Sequence, residues 1–231
     1  MRSRVAARRI RWGILCLPLA GLVYLQSLVV AGDYVYLTDD NVRRYAEYVT
    51  SARFHFSTLI DALQATLVLI GLIALYAYLA NSHGERWALA GLVLWCASAA
   101  ARTHQDAGFD ISAIPAAERY LGGQQDALES VLLASDPGNF PLLIVVSGGV
   151  LDGLFPILSN LFFGIAIWRS GTLPQGAAIL WIGASVLGLV TNTSLHLFGW
   201  IEALVVALDL GGSGWIAWSI WQQPLARTQR Y

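Results

Sequence analysis

The chain has 231 residues, of which 56% are hydrophobic and 13% are charged. Soluble proteins contain about 25% charged residues, so this composition predicts a protein whose solvent is mostly lipid. The net charge of -1, with all 14 basic residues being arginine, excludes a basic nucleic-acid-binding protein. Both cysteines, Cys16 and Cys96, lie in apolar runs, which excludes a disulfide framework.

Six stretches reach or approach the length of a transmembrane helix, which needs about 20 mostly apolar residues. In chain order they are 12–31, 54–80, 87–101, 140–168, 176–197 and 201–221, and the third is the shortest. Short connections after the second, fourth and fifth stretches predict antiparallel neighbours. The longer connections, 32–53 and 102–139, form outer segments. The sequence therefore predicts an all-α fold: a polytopic transmembrane bundle of six helices in a single domain, residues 1–231.

The arginines are distributed unequally between the two sides of this predicted bundle. Nine arginines and one acid flank the spans on the side of both termini, against five arginines and ten acids on the other side. Positive charge beside spans stays in the cytoplasm, which predicts cytoplasmic termini and a multi-pass protein of the bacterial cytoplasmic (inner) membrane. A cleaved signal peptide is the alternative for the first span, because arginines precede an apolar run ending in Val29-Val30-Ala31.

The two outer segments contain short helical patterns. Asp39 or Asp40 is suited to cap a helix that runs through Val49 and leads into the second span. In the segment 124–134, Leu128 and Val131 with Leu132 form an apolar stripe. That stripe predicts an element that lies on the outer membrane surface or covers the helix ends.

Four carboxylates fall within the predicted spans: Asp61, Asp152, Glu202 and Asp209. A carboxylate facing lipid is costly, so each is expected to point inward. Glu202 is interfacial, whereas the other three lie at depths that permit one shared cavity in the outer half, without an arginine at that depth. The predicted ligand site consists of Asp61, Gln64, Asp152, Asn192, Asp209 and Ser213. Alternatively, each carboxyl merely hydrogen-bonds a neighbouring helix.

Two glycine-rich segments, 147–153 and 209–214, each place an acid beside glycines in mid-span. Such segments either break a helix and expose backbone groups to a cavity, or let two helices pack closely. The sequence leaves both interpretations open.

Histidine spacing does not indicate a metal or haem site. His55, His104 and His196 fall near the outer surface and His83 falls in a cytoplasmic turn, without the spacing of a metal-binding motif. We therefore predict neither a metal nor a cofactor. Nucleophile elbows and phosphate-binding loops are also absent, so catalytic residues cannot be assigned and enzyme activity is left open.

The segment Ile167-Trp168-Arg169-Ser170-Gly171-Thr172-Leu173-Pro174 resembles a cytoplasmic basic-Ser-Gly-x-x-Pro turn. This turn marks a bacterial domain-of-unknown-function family of six-helix integral membrane proteins, and Arg8-Arg9 before the first span is similar too. The resemblance implies six helices and no agreed activity. Independently of it, Gly171 is suited to end the fourth helix and Pro174 to prevent its continuation.

These features predict an integral membrane protein that holds a small or lipid-like ligand in an outer-half, carboxylate-lined cavity. Its expected partners are membrane lipid and, alternatively, other membrane subunits. One alternative function is that of a non-catalytic accessory subunit of a larger membrane complex. Another is a proton- or cation-coupled transporter. A cavity reaching Asp152 favours ligand handling or transport, whereas solid packing favours the subunit.

Overall fold

A computed structural model describes residues 2–31, 40–129, 151, 153–193 and 199–223. This part of the chain consists of helices and turns, which confirms the all-α class for the described residues. The helices are α1 (Arg2–Ala31), α2 (Val42–Val49), α3 (Ala52–Leu79), α4 (Glu85–Leu121), α5 (Phe155–Ser170), α6 (Gln175–Thr193) and α7 (Gly199–Gln222).

The long helices form a closed ring in chain order. Of the described elements, α1 packs on α3, and the contacts continue from α3 to α4, α5, α6 and α7 and back from α7 to α1. Neighbours are antiparallel: Gly13 in α1 meets Ala74 near the end of α3, and the Trp12 and Trp221 rings lie 5.4 Å apart. We call the start of α1, the end of α7 and the turns 80–84 and 171–174 the basic end. The opposite end, which carries α2, is the acidic end.

Glycines let neighbouring helices of the ring approach closely. A Cβ atom added at these positions would lie 2.5–2.8 Å from a side chain of the adjacent helix: Gly71 beside Leu17, Gly91 beside Phe163, Gly164 beside Ile182 and Gly212 beside Trp181. Helix α7 continues unbroken through 209–214. The close-packing interpretation of that glycine segment is therefore confirmed at Gly212, and no helix break occurs there. Residues 147–150 of the other glycine segment lie outside the described residues.

The turn between α5 and α6 has the geometry expected from its sequence. Gly171 follows α5 with a left-handed φ of 63°, a conformation that glycine adopts at little cost. The Ser170 hydroxyl accepts a hydrogen bond from the Thr172 amide at 3.2 Å. Gly171 therefore ends α5 as predicted, and the next helix begins directly after Pro174.

The helix that contains the third predicted span is longer than that span: α4 has 37 residues and ends at Leu121 rather than at residue 101. Apolarity ends at Ala101, but no glycine pair interrupts the helix before Gly122-Gly123. The extension also has a packing partner at the acidic end. Its buried residues form a small core with those of α2, the start of α3 and the following turn: Tyr45, Ala46, Val49, Phe54, Ala116, Ala117 and Leu128.

Two details of the outer segments differ from expectation. The residue preceding α2 is Asn41, whose side chain makes no capping hydrogen bond, so Asp40 is not the cap; Asp39 lies outside the described residues. Leu128 is buried in the core beside α2 and so covers helix ends there. Residues 130–134 of the predicted apolar stripe lie outside the described part.

Among the described residues, two segments are long and apolar enough to cross a membrane, Ala52–Leu79 and Ala203–Gln222. The fourth predicted span extends over residues 140–150, which are outside the described part. The six-span bundle therefore stays a prediction. Large apolar side chains are nevertheless exposed on the outward faces of most long helices, including Leu22, Leu59, Val93, Val186 and Trp218.

Candidate functional site: a cavity at the centre of the ring

A cavity of about 310 Å³ lies inside the ring and receives side chains from every long helix described above. Its wall is mostly apolar, with a few polar groups set into it. The residues that define its polar character are Tyr24 from α1, Gln64 from α3, Trp95, Ser98 and Arg102 from α4, Asn160 from α5, Trp181 and Ser185 from α6, and Asp209 from α7.

The structure brings together two of the predicted ligand-binding residues, Gln64 and Asp209, in this wall. Ser213 is buried one turn below Asp209, with 1% of its surface exposed. Its hydroxyl donates to the Leu210 carbonyl at 3.3 Å, and it is not a lining residue of the cavity. Asp152 and the side chain of Asn192 lie outside the described residues.

Asp61 occupies a different place from Gln64, although the two residues are one helical turn apart. Its side chain is exposed and is not part of the cavity lining. It interacts electrostatically with α2: burial raises the pKa of Tyr48, the Asp61 carboxylate raises it further, and Arg53 lowers it. Asp61 therefore lies close to α2, at the acidic end.

The expectation that no arginine lies at the depth of the site is wrong, because Arg102 lines the cavity. The reason is the continuation of α4 beyond residue 101. Trp95, Ser98, Ala99 and Arg102 follow the spacing i, i+3, i+4, i+7, so they form one face of a single helix. A positive charge and the carboxyl-bearing Asp209 consequently belong to the same cavity wall.

Sequence reasoning also missed Trp95 and Asn160, which belong to adjacent helices. Within the described part of the chain, Trp95 Nε1 is buried without a hydrogen-bond partner. Asn160 lines the same cavity. The helical spacing of Trp95 with Ser98 was the available signal, whereas nothing in the sequence distinguishes Asn160 from an amide at a helix contact.

Trp181 supports the cavity wall from α6. It is 2% exposed, and its ring packs edge to face against Phe163 with the ring centroids 6.3 Å apart. Its indole N–H donates to the Asp209 carbonyl across a long 3.4 Å separation. This contact links Trp181 to the backbone that carries the Asp209 side chain, and Gly212 provides the space for the indole.

Polar and apolar groups adjoin one another in the cavity wall. Counted at 1.5 Å per residue along their own helices, Asp209, Gln64 and Arg102 lie about 20 to 25 Å from the basic end. The Trp181 ring lies beside them, because its indole N–H reaches the Asp209 carbonyl. This combination of apolar surface with charged and amide groups is suited to bind a molecule with an apolar portion and a polar head.

The described residues do not indicate a metal centre. No three histidine, cysteine, aspartate or glutamate side chains come together in that part of the chain. Neither histidine nor cysteine is found among the residues lining the central cavity. The described wall offers hydrogen-bonding and charged groups.

No family model, no curated protein and no solved structure matches the chain.

Proposed function

We propose that the chain is a six-span protein of the bacterial inner membrane that binds a small or lipid-like ligand in the central cavity. One observation carries this proposal: all the long helices of the described ring contribute to a single cavity whose mostly apolar wall contains charged and amide groups. A volume of about 310 Å³ falls within the range of ligand pockets, about 300–1,000 Å³.

The exposed surface supports the membrane part of the proposal. The ring turns large apolar side chains such as Leu59, Leu63 and Val93 outward, where they would be costly in water but favourable in lipid. Exposed tryptophans lie toward the basic end, as expected at a membrane interface: Trp12, Trp168, Trp215, Trp218 and Trp221. With its arginines, the basic end is then cytoplasmic and the polar part of the cavity lies in the outer half of the bilayer.

The chemistry of the wall narrows the ligand class. Leu17, Val68 and Leu72 offer apolar contacts, while the Trp95 indole N–H and the Asn160 amide offer hydrogen bonds. Arg102 and Asp209 place opposite charge types in the same wall, which favours a ligand head group with both acceptors and donors. We therefore propose an amphiphile with a compact apolar portion rather than an inorganic ion.

We expect the purified protein to lose its bound ligand when a larger side chain fills the central cavity. Ala65 lines the cavity and Ala62, one turn away on the same helix, is exposed. After purification in a mild detergent, mass spectrometry of the extracted small molecules should find a stoichiometric ligand with the wild-type chain. Ala65→Phe should reduce its amount at least tenfold, because the phenyl ring occupies the space, whereas Ala62→Phe should retain it.

A smaller substitution, Ala65→Leu, guards against the possibility that the phenylalanine variant fails to assemble, and it should give an intermediate reduction. Equal ligand content in the two phenylalanine variants would contradict the cavity as the binding site. An empty wild-type cavity together with a stoichiometric co-purifying protein would favour the accessory-subunit alternative instead.

The orientation can be tested with single thiols in a chain whose Cys16 and Cys96 have been replaced by serine. A membrane-impermeant thiol reagent should label Ser82→Cys and Ser170→Cys only from the cytoplasmic side, because Ser82 lies in a turn of the basic end and Ser170 is the last residue of α5 at that end. Gln125→Cys, at the acidic end, should be labelled only from outside. Labelling of Ser82→Cys from outside would contradict the proposed topology.

A further inference from the structure

An open groove of about 580 Å³ lies at the basic end, between α4 and α5. It is lined by His83, Arg86, Trp87, Ala90, Phe162 and Arg169. None of these residues belongs to the central cavity. The groove combines two guanidinium groups and an imidazole with two aromatic rings, and no carboxylate is among its lining residues.

The cationic side of this groove is structurally supported. The Arg169 guanidinium lies 5.5 Å from the centroid of the Trp87 ring, in a cation–π contact. Trp87 in turn packs against Phe162, with the ring centroids 5.4 Å apart. Arg86 lies in the first turn of α4, where unpaired backbone N–H groups add partial positive charge. Two exposed arginines thus flank an aromatic platform.

The acid nearest in sequence does not neutralise this charge. Glu85 Oε2 accepts a hydrogen bond from the Asn81 backbone N–H at 2.8 Å. The carboxylate is thereby directed to the turn between α3 and α4. The groove consequently retains a net positive character, which favours an anionic group.

The other side of the groove is apolar. Ala90 lies one turn beyond Arg86 along α4, and Phe162 lies two turns before Arg169 along α5. Beyond Ala90 the outward face of α4 continues with the exposed residue Val93. A soluble anion would need only the cationic groups, whereas a lipid would use both the charge and the apolar track leading away from it.

We propose that this groove binds an anionic phospholipid of the cytoplasmic leaflet, with the phosphate at Arg86 and Arg169 and an acyl chain along Ala90 and Phe162. The proposal rests on the membrane orientation given above but not on the central ligand. A similar combination occurs between α1 and α3, where Arg8, Arg9 and Trp12 adjoin the apolar Ile70. Arginine, tryptophan and an apolar track therefore recur at this end of the bundle.

Native mass spectrometry of the full-length protein, in a non-ionic detergent supplemented with phosphatidylglycerol, counts the lipids retained. The double variant Arg86→Gln/Arg169→Gln should retain one phosphatidylglycerol fewer than the wild type. The single variant Arg169→Lys, in which Arg86 is unchanged, should retain most of the phosphatidylglycerol that the double variant loses, because the positive charge remains. The control double variant Arg44→Gln/Arg119→Gln removes two exposed arginines of the acidic end and should lose no lipid.

Phosphatidylcholine, which has no net charge, should be retained at least tenfold less than phosphatidylglycerol, and added glycerol phosphate should not displace the bound lipid. An unchanged lipid count in the arginine double variant would overturn the proposal, as would equal retention of phosphatidylcholine. Displacement by glycerol phosphate would assign the groove to a soluble anion instead.

The Arg86→Gln and Arg169→Gln single variants, changed at exposed positions, provide the same comparison if the double variant does not assemble. Ala65→Phe should leave the number of retained phosphatidylglycerol molecules unchanged. This variant separates a failure of the lipid groove from a failure of the central cavity.

Discussion

Trp181→Ala is expected to destabilise the helical bundle by about 3–5 kcal/mol, the range typical of removing a large buried aromatic side chain. Trp181 is 2% exposed, packs edge to face on Phe163 and fills the space beside Gly212. Its removal would join a new void to the existing central cavity and leave the contact between α6 and α7 incomplete. No neighbouring side chain can fill that volume without leaving its own position.

The same substitution at Trp218 provides the control, because this side chain is 62% exposed and lies on the outward face of α7. Trp218→Ala removes the same number of atoms without opening an internal void, and we expect a change below about 1 kcal/mol. The free energy of unfolding, measured by reversible denaturation in lipid–detergent discs, distinguishes the two variants. Equal destabilisation would contradict the inward position of Trp181.

Gly212→Ala is the second substitution with a large expected effect, about 1–3 kcal/mol of destabilisation from overpacking. A Cβ atom at this position would lie 2.7 Å from Trp181 Cδ1 and 3.3 Å from the Ala177 carbonyl oxygen. Both neighbours resist movement, because Trp181 is enclosed by the core and the carbonyl belongs to the α6 backbone. The two helices would therefore have to separate.

Gly214 lies two residues further along α7 and offers a matched comparison, since a Cβ atom there would meet nothing within 4 Å. Gly214→Ala should be neutral or stabilising by up to about 1 kcal/mol, because alanine favours the helix. The same denaturation measurement tests both variants. A tolerated Gly212→Ala would show that α6 and α7 do not pack closely at this point.

The bounds of two helices could be predicted closely from apolar length. The predicted segments 54–80 and 201–221 correspond to α3 and α7 within two residues at each end. The end of α4 could not be found in this way, since an apolar run ends where the side chains become polar, and a helix can continue beyond that point. Its extension depends on tertiary packing against α2, through residues such as Tyr45, Ala116 and Ala117.

The candidate site was predicted only in part for a similar reason. Gln64 and Asp209 lie in the cavity wall as expected, because polar groups within apolar helices avoid lipid. Asp61 is only one turn from Gln64, yet it lies near the end of the bundle, where an acid can remain exposed beside α2. Arg102 was assigned to an outer loop, and only the continuous helix α4 brings it to the cavity.

A photoreactive side chain tests the central cavity most directly. A diazirine-bearing aliphatic residue can be placed at position 72 or, in a second chain, at position 73. Leu72 lines the cavity and is 1% exposed, whereas its neighbour Ile73 is 49% exposed. Irradiation in native membranes followed by mass spectrometry then reports what each side chain touches.

We expect position 72 to give an adduct of one discrete small or lipid-like molecule, and position 73 to give adducts of the bulk membrane phospholipids. The position 72 adduct should disappear in combination with Ala65→Phe. Insertion at position 72 into protein alone, or into the same phospholipids as at position 73, would contradict a ligand held at the centre of the ring.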